Sequence, residues 1–275
     1  MTFIAVALIA LGAMAQPQQR ELSAADKIAE DLQNAFFAGM GDVMEKLQEL
    51  NDAFYRSGNR DSVQRLMEPY QKIYMERQKA YLEKYPTTAL AAQFMRMELG
   101  RMPLEKMKEV YNKFDATAKE TTAGKAMAKE IATLEQVAPG NPAPEIAKND
   151  FVTGKPFSLS SLKGKVVLLD FWASWCGWCI KGFPEMKQYY KKYAGKFEIL
   201  GVDCNDTEEK WRKAVSDEQL PWLHVYNPRD SKVLSLYGVQ GFPTKIIISP
   251  DGKIVKTIVG EDPAFYTLLD ELFAK

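Results

Sequence analysis

Two cysteines separated by two residues are the most reactive feature of this sequence, in the motif Cys176-Gly-Trp-Cys179. The motif follows the mostly apolar segment Lys165–Phe171, which predicts a buried strand, and it leads into a segment with helical spacing. A cysteine at a helix N-terminus faces free backbone N–H groups and the positive end of the helix dipole, which favour the nucleophilic thiolate. Cys179 lies one turn later on the same face, so it can attack a mixed disulfide formed on Cys176. The pair therefore predicts thiol–disulfide exchange.

A zinc site and a permanent disulfide are the alternatives for the same residues. Cys204 and His224 would complete a set of four zinc ligands with the pair. These two are not closely spaced, however, and they lie in or beside different predicted strands. A structural disulfide that closes so short a loop adds little stability. Outside the zinc alternative, Cys204 is interpreted as a buried bystander and His224 as a structural residue.

Composition narrows the classes of function. The 275 residues contain 36 Lys plus Arg and 36 Asp plus Glu, whereas a nucleic-acid binder needs a basic excess to neutralise phosphates. With 46% hydrophobic and 26% charged residues, the chain can build hydrophobic cores. Three cysteines are too few to hold a scaffold of this length together by disulfides. All cysteines, all tryptophans and the single histidine lie after residue 170, so the reactive side chains belong to the C-terminal half.

The N-terminus has the pattern of a secretory signal peptide over residues 1–15. An apolar run from Phe3 to Ala13 is followed by Ala13-Met14-Ala15, and this run is too short for a bilayer, which needs about 20 residues. No Lys or Arg precedes the run, so a frayed or buried N-terminal helix is the alternative. Gln16 stands where a lipoprotein would have Cys. We expect an exported, periplasmic protein.

Residues 16–138 are expected to form an all-α helical domain. Apolar residues recur there at spacings of three and four, the spacing of an amphipathic helix face: Leu32, Phe36, Phe37, Met40, Val43, Met44, Leu47 and Leu50. Breaks at Ser57-Gly58-Asn59, Pro86 and Pro103 predict four helices in a small bundle. The methionines of this half are interpreted as packing residues rather than copper ligands, since their spacing does not cluster them.

The Pro/Gly-rich segment 138–145 marks the predicted boundary to a second domain, 139–275. Strands and helices alternate there, which predicts an α/β fold with a mixed sheet. The expected strands are 151–152 and 157–159 as a small hairpin, 165–171, 197–202, 222–226, 245–249 and 254–259. The expected helices are 179–193, 207–216, 231–237 and 263–273.

Residues 165–260 resemble thioredoxin, and the lead-in Ala143-Pro144-Glu145 resembles the exported TlpA-like (ResA-like) branch. The resemblance is carried by an ordered set of motifs: Asp170-Phe-Trp-Ala before the cysteines, Pro184 in the following helix, Tyr237-Gly-Val-Gln-Gly-Phe-Pro-Thr244, Asp251-Gly-Lys253 and Gly260. Residues 60–140 resemble the helical segment that precedes such domains in Bacteroidetes-type exported proteins. The resemblance implies a thioredoxin-like fold, with a mixed central sheet flanked by helices, after the all-α domain.

The resemblance also implies roles for individual residues. Cys176 would attack the substrate, Cys179 would resolve the mixed disulfide, and the two would cycle through a redox disulfide. Asp170 would accept the proton of Cys179; a buried acid satisfied by backbone donors is the alternative. A cis peptide bond before Pro243 would present backbone to an extended substrate. The substrate-binding rim would consist of Trp175, Gly177, Trp178, Phe242 and Pro243. No metal or cofactor is called for.

Two positions depart from the family pattern. Trp178 stands where the family usually has Pro between the cysteines, and that dipeptide influences the redox potential. Gly182 stands where TlpA-like proteins often carry an acidic residue, three positions after the second cysteine. Glu185, one helical turn further along the chain, could replace that acid only in part.

The expected function is that of a periplasmic oxidoreductase that reduces protein disulfides. The resemblance implies a membrane thiol carrier as electron donor, and the helical domain is a candidate for binding an unknown protein partner. A thiol peroxidase of the same fold is an alternative, although it would want Thr where this chain has Ala173. A helical partner-binding protein with a redox-switch domain is the other alternative.

Overall fold

The computed structural model describes residues 21–56, 60–96, 102–228 and 231–274. The predicted signal peptide and the predicted helix break at Ser57-Gly58-Asn59 lie outside these residues. The chain divides between Lys129 and Glu130 into two compact units. In the ranges given above, no helix has both the length and the apolar character needed to cross a membrane.

The N-terminal half is helical, as predicted. Its helices are α1 (Ala24–Ala38), α2 (Gly41–Arg56), α3 (Arg60–Lys84), α4 (Ala89–Arg96), α5 (Leu104–Lys113), α6 (Ala116–Glu120) and α7 (Thr122–Gln136). The expectation of four helices was wrong, because the described residues form seven helical segments. The division between the two units falls within α7, whereas the segment predicted as the boundary, 138–145, follows that helix.

Local capping explains two of the additional breaks. The Asp115 carboxylate accepts a hydrogen bond from the Ala118 N–H (2.7 Å), which begins α6. The Thr121 hydroxyl accepts one from the Gly124 N–H (2.9 Å) at the start of α7. Asp and Thr side chains compete in this way with continuous helix, so the single helix expected after Pro103 is interrupted.

One predicted apolar face forms a core of the N-terminal unit. Met40, Val43, Leu47 and Leu50 are buried, as their helical spacing predicted. They pack in one cluster with Val63 and Met67 of α3.

The C-terminal unit contains a mixed sheet and confirms the predicted thioredoxin-like fold. Its strands are β1 (Ala147–Asn149), β2 (Pro156–Ser158), β3 (Val166–Trp172), β4 (Phe197–Asp203), β5 (Leu223–Val225), β6 (Thr244–Ile248) and β7 (Ile254–Val259). Its helices are α8 (Gly177–Lys192), α9 (Glu208–Asp217), α10 (Val233–Leu236) and α11 (Ala264–Phe273). The main sheet has the order β5-β4-β3-β6-β7, in which β3, β4 and β5 are parallel and β6 and β7 are antiparallel to their neighbours.

The small hairpin lies elsewhere than expected. Ala147–Asn149 pairs with Pro156–Ser158, so the strand predicted at 151–152 was wrong. The Asp150 carboxylate accepts hydrogen bonds from the Thr153 N–H (2.8 Å) and the Thr153 hydroxyl (2.6 Å). These two bonds make a turn of the residues that apolar content alone had suggested as a strand.

The two central strands position the cysteine motif. Every residue of β3 and of β4 is buried, as expected for parallel strands covered on both faces. Asp170 is the charged residue of β3, and the chain leaves this strand after Trp172 and reaches α8 at Gly177. The short connection between β3 and α8 therefore links the buried Asp170 carboxylate to the cysteine pair.

Candidate active site

Cys176 and Cys179 are joined by a disulfide bond at the start of α8. Cys176 is the N-cap residue of this helix, and its Sγ accepts a hydrogen bond from the Cys179 N–H at 3.3 Å. When the disulfide is reduced, the same backbone donor and the helix dipole would stabilise a thiolate on Cys176. Both cysteines are buried, but Cys176 retains more exposure (7%) than Cys179 (1%). The geometry thus suits Cys176 for attack on a substrate and Cys179 for attack on Cys176.

The turn before Cys176 is fixed by Asp206, a residue that was not among the predicted site residues. The Asp206 carboxylate accepts hydrogen bonds from the Ser174 N–H and the Ser174 hydroxyl, each at 2.7 Å. The Asp206 N–H in turn donates to Asp203 Oδ1 at 3.2 Å. The only sequence signal was the pair of aspartates directly after a buried strand, in Val202-Asp-Cys-Asn-Asp206.

The tryptophans next to the two cysteines in the sequence are exposed at the surface. Trp175 and Trp178 are 62% and 66% exposed, which is unusual for such large apolar side chains. The ring of Phe242 meets Trp175 edge-on at a centroid distance of 5.8 Å. Lys181 places its ammonium 4.4 Å from the centroid of the Trp178 ring. Gly177, between the two cysteines, is exposed, and a Cβ atom placed on it would have no neighbour within 4 Å.

The loop that carries Pro243 is held against the end of β7. The Phe242–Pro243 peptide bond is cis, as the resemblance implies. The Gly260 N–H donates to the Pro243 carbonyl at 2.8 Å, and the Thr244 hydroxyl donates to the Gly241 carbonyl at 2.7 Å. The contact between Phe242 and Trp175 brings this loop to the same rim as the cysteine pair.

Asp170 is an ionisable group without a hydrogen bond. It is buried, and within the described ranges neither carboxylate oxygen has a hydrogen-bond partner, so the alternative of an acid satisfied by backbone donors does not hold. Burial raises the pKa of Asp170 to about 6; Lys245, with Nζ 4.0 Å from Oδ1, lowers it, and Glu261 raises it. A carboxyl group that titrates near neutral pH can both take up and return a proton.

Lys245 and Glu261 are further members of this site, which were not predicted from the sequence. Lys245 is buried in β6 and forms an ion pair with Glu261, which follows Gly260 at the end of the last hairpin. A signal existed, because Lys245 is the one charged residue of a strand that is otherwise uncharged and rich in isoleucine, Thr-Lys-Ile-Ile-Ile. Glu185, considered as a partial substitute for an acid at position 182, is instead exposed on α8.

Cys204 and His224 do not join the cysteine pair in a ligand set. Cys204 is buried, its Sγ donates to the Val202 carbonyl (3.5 Å), and burial raises the pKa of this thiol. His224 is buried between Trp211 and Trp222, and burial lowers its pKa to about 4. Among the residues described, no group of three or more His, Cys, Asp or Glu side chains is arranged to hold a metal ion.

Comparisons with known proteins match the C-terminal half. The family model described as Redoxin matches residues 138–270. A thiol-disulfide oxidoreductase ResA from Bacillus thuringiensis is 37% identical over 132 residues, which are 48% of this chain and 75% of that protein. The ResA of Bacillus subtilis is 35% identical over 131 residues, 47% of this chain and 72% of that protein. The crystal structure of the thioredoxin domain of a thiol-disulfide oxidoreductase from Bacteroides vulgatus is 36% identical, with 49% of this chain and 98% of that chain covered and a TM-score of 0.45.

Proposed function

Since this chain belongs to the ResA-like thiol-disulfide oxidoreductases of the redoxin family, we propose that it reduces protein disulfides outside the cytoplasm through its Cys176-Gly-Trp-Cys179 dithiol. The observation that carries this proposal is the position of the pair. A disulfide-forming cysteine caps the helix N-terminus, and an exposed aromatic rim flanks it.

The first step is attack on the substrate. The Cys176 thiolate bonds to one sulfur of the substrate disulfide, the substrate S–S bond breaks, and the other substrate sulfur leaves as a thiolate. The backbone N–H of Cys179, which reaches Cys176 Sγ at 3.3 Å, is placed to stabilise the attacking anion. The product of this step is a mixed disulfide between Cys176 and the substrate.

The second step resolves the mixed disulfide. The Cys179 thiol gives its proton to the Asp170 carboxylate, and the resulting thiolate bonds to Cys176 Sγ. The mixed disulfide breaks, the second substrate sulfur leaves as a thiolate, and two electrons have passed from the dithiol to the substrate. Asp170 suits this task because its pKa of about 6 lies closer to that of a thiol than the pKa of an ordinary aspartate does.

The rim around Cys176 is proposed to bind an extended polypeptide. Exposed Trp175 and Trp178 offer apolar contact area, and the loop at Phe242 and Pro243 offers backbone groups beside them. The open space at Gly177 leaves room for a substrate chain next to the cysteine pair. This arrangement accepts many sequences, because backbone and apolar contacts do not depend on one particular side chain.

The predicted signal peptide supports a periplasmic location. Because a reductase in that location needs electrons from across the membrane, this location supports a membrane thiol carrier as their source. The carrier would reduce the Cys176–Cys179 disulfide after each turnover. For the helical unit we propose a protein partner, in line with exposed apolar side chains on α3, such as Leu66 and Ile73.

Trapping of the mixed disulfide tests the proposal. Cys179→Ser removes the resolving thiol, so substrate proteins should stay covalently bound to Cys176 and should be released by a reductant. Cys204→Ser is the matched control, because it removes a cysteine of the same unit that is buried and takes no part in either step. The wild-type protein and this control should reduce insulin disulfides at the same rate.

Three outcomes would contradict the proposal. The reductase assignment fails if no periplasmic protein is trapped by Cys179→Ser. Turnover of hydroperoxide that needs Cys176 but not Cys179 would indicate a thiol peroxidase. Tight partner binding without turnover of any disulfide would favour a redox-switch protein.

A further inference from the structure

A lysine in the interior of the C-terminal unit is unexplained by the two exchange steps. Lys245 lies in β6, whose five residues are all buried, and its side chain is 2% exposed. An ammonium group removed from water is costly unless charged partners surround it. The partners of Lys245 therefore indicate what this lysine does.

Lys245 is shared unequally between two carboxylates. It forms a close ion pair with Glu261 Oε1, while Asp170 Oδ1 lies 4.0 Å away, beyond hydrogen-bond distance. The Glu261 side chain is 21% exposed, whereas that of Asp170 is 1% exposed. The lysine is thus held mainly by the more exposed acid, and the deeply buried acid is left without a hydrogen bond.

Glu261 also contacts the helix that carries the cysteines. A Cβ atom placed on Gly182 would lie 2.7 Å and 2.9 Å from the two carboxylate oxygens of Glu261. Gly182 follows Cys179 by three residues, so it lies on the same face of α8 one turn later. The carboxylate of Glu261 therefore occupies the space that a side chain at position 182 would take.

We propose that Glu261 and Lys245 are positioning residues that set the charge of Asp170 for the resolving step. By holding Lys245 in its own ion pair, Glu261 keeps the ammonium from bonding to Asp170, which stays a proton acceptor near neutral pH. This inference rests on the proposed role of Asp170 as the base for Cys179.

Other groups near Asp170 do not supply this charge. In the described part of the chain, the titratable groups that interact electrostatically with Asp170 are Lys245, Glu261, Cys204 and Tyr266. Burial raises the pKa of the Cys204 thiol and of the Tyr266 phenol, so both stay neutral at physiological pH. Glu185 interacts electrostatically with Tyr266, and Asp203 interacts with Cys204, so these two carboxylates affect neighbours of Asp170 rather than Asp170 itself.

Two substitutions should shift the pKa of Asp170 in opposite directions. Glu261→Gln removes the anion that holds Lys245, so the ammonium turns to Asp170 and lowers its pKa by about one unit or more. Lys245→Met leaves two carboxylates without the cation and raises the pKa of Asp170 by a similar amount. A purely structural role for the pair would weaken the fold in both variants without moving the pH dependence in opposite directions.

The resolving step can be followed with a bis-nitrobenzoate disulfide as substrate, because the nitrobenzoate thiolate released on its cleavage absorbs visible light. Reduced full-length protein should release one thiolate when Cys176 attacks and a second when Cys179 resolves. The rate of the second phase is measured against pH. We expect the acidic limb of this profile, the low-pH range in which the rate rises with pH, to move to lower pH in Glu261→Gln and to higher pH in Lys245→Met.

A rescue experiment moves the carboxylate from position 261 to position 182. Glu261→Ala empties the space beside Gly182, and Gly182→Asp then returns a carboxylate there from the helix side. This double variant should restore the wild-type acidic limb. The matched control, Glu261→Ala with Gly182→Ala, fills the same space without charge and should keep the limb of Glu261→Ala.

The outcomes separate this inference from the proposed function. If Asp170→Asn slows the second phase but the limb is unmoved in Glu261→Gln and Lys245→Met, the inference is overturned and the base role of Asp170 stands. If Asp170→Asn leaves the second phase unchanged, the proposed role of Asp170 fails. In that case, infrared titration of the Asp170 carboxyl group still tests whether Glu261 sets its charge. If the carboxyl band titrates at the same pH in Glu261→Gln as in the wild type, the inference is refuted.

Discussion

Asp170→Asn should stabilise the oxidised protein at neutral pH while it impairs the resolving step. The pKa of Asp170 is about 6 in the fold, against a reference value of 3.8. Between these values the folded protein binds more protons than the unfolded chain, so the free energy of unfolding falls as pH rises. A difference of about two pKa units corresponds to about 3 kcal/mol once the pH is above both values.

Asparagine has nearly the shape of aspartate but carries no charge to desolvate. The variant should therefore equal the wild type at about pH 4 and exceed it by about 3 kcal/mol at about pH 8. Lys245 keeps its closer partner, Glu261, so the substitution does not leave the ammonium alone. His224 also titrates over part of this range, but it is present in both proteins and cancels in their difference.

Urea unfolding followed by tryptophan fluorescence measures this difference. All five tryptophans lie after residue 170, so the signal reports the unit that contains Asp170. Asp251→Asn is a control of opposite sign: Ser249 and Lys253 lower the pKa of Asp251, so this variant should lose stability relative to the wild type as pH rises. Our reasoning is refuted if the gain of Asp170→Asn does not grow between about pH 4 and about pH 8.

Four further predictions follow from the site. The rate of the resolving step should fall about tenfold per pH unit below about pH 6, as Asp170 becomes protonated; a flat second phase in stopped-flow absorbance would contradict this. The folded pKa of His224 is about 4, below the reference 6.5, so stability is lost as pH falls between these values; His224→Phe should remove this loss in acid titrations followed by circular dichroism. Trp178→Ala should raise KM for a protein disulfide about tenfold but leave the rate with a small disulfide unchanged, since only the polypeptide needs the apolar rim. Cys204 should resist iodoacetamide in the native reduced protein, as mass spectrometry of the labelled peptides can show; rapid labelling would mean that its thiol is accessible.

Much of the C-terminal unit could be predicted from local sequence signals. Strands 166–172 and 197–203 consist mostly of apolar residues, and helix 177–192 begins within the cysteine motif, so their positions could be predicted without knowledge of distant contacts. The predictions failed where a single polar side chain decided the backbone. Asp150 makes a turn of an apolar dipeptide, and Asp115 and Thr121 interrupt a run with continuous helical spacing.

The cysteine pair itself was determined by the sequence, because two cysteines three residues apart at the start of a helix lie close enough to form a disulfide without help from distant contacts. The grouping of charges around Asp170 was decided by the tertiary structure. Asp170, Lys245 and Glu261 come from three separate segments, and only the pairing of β3 with β6 and of β6 with β7 brings them together. The same pairing lets a distant carboxylate fill the space beside Gly182. Electrostatic interactions depend on distance through space and on burial, and neither quantity is encoded in the spacing of residues along the chain.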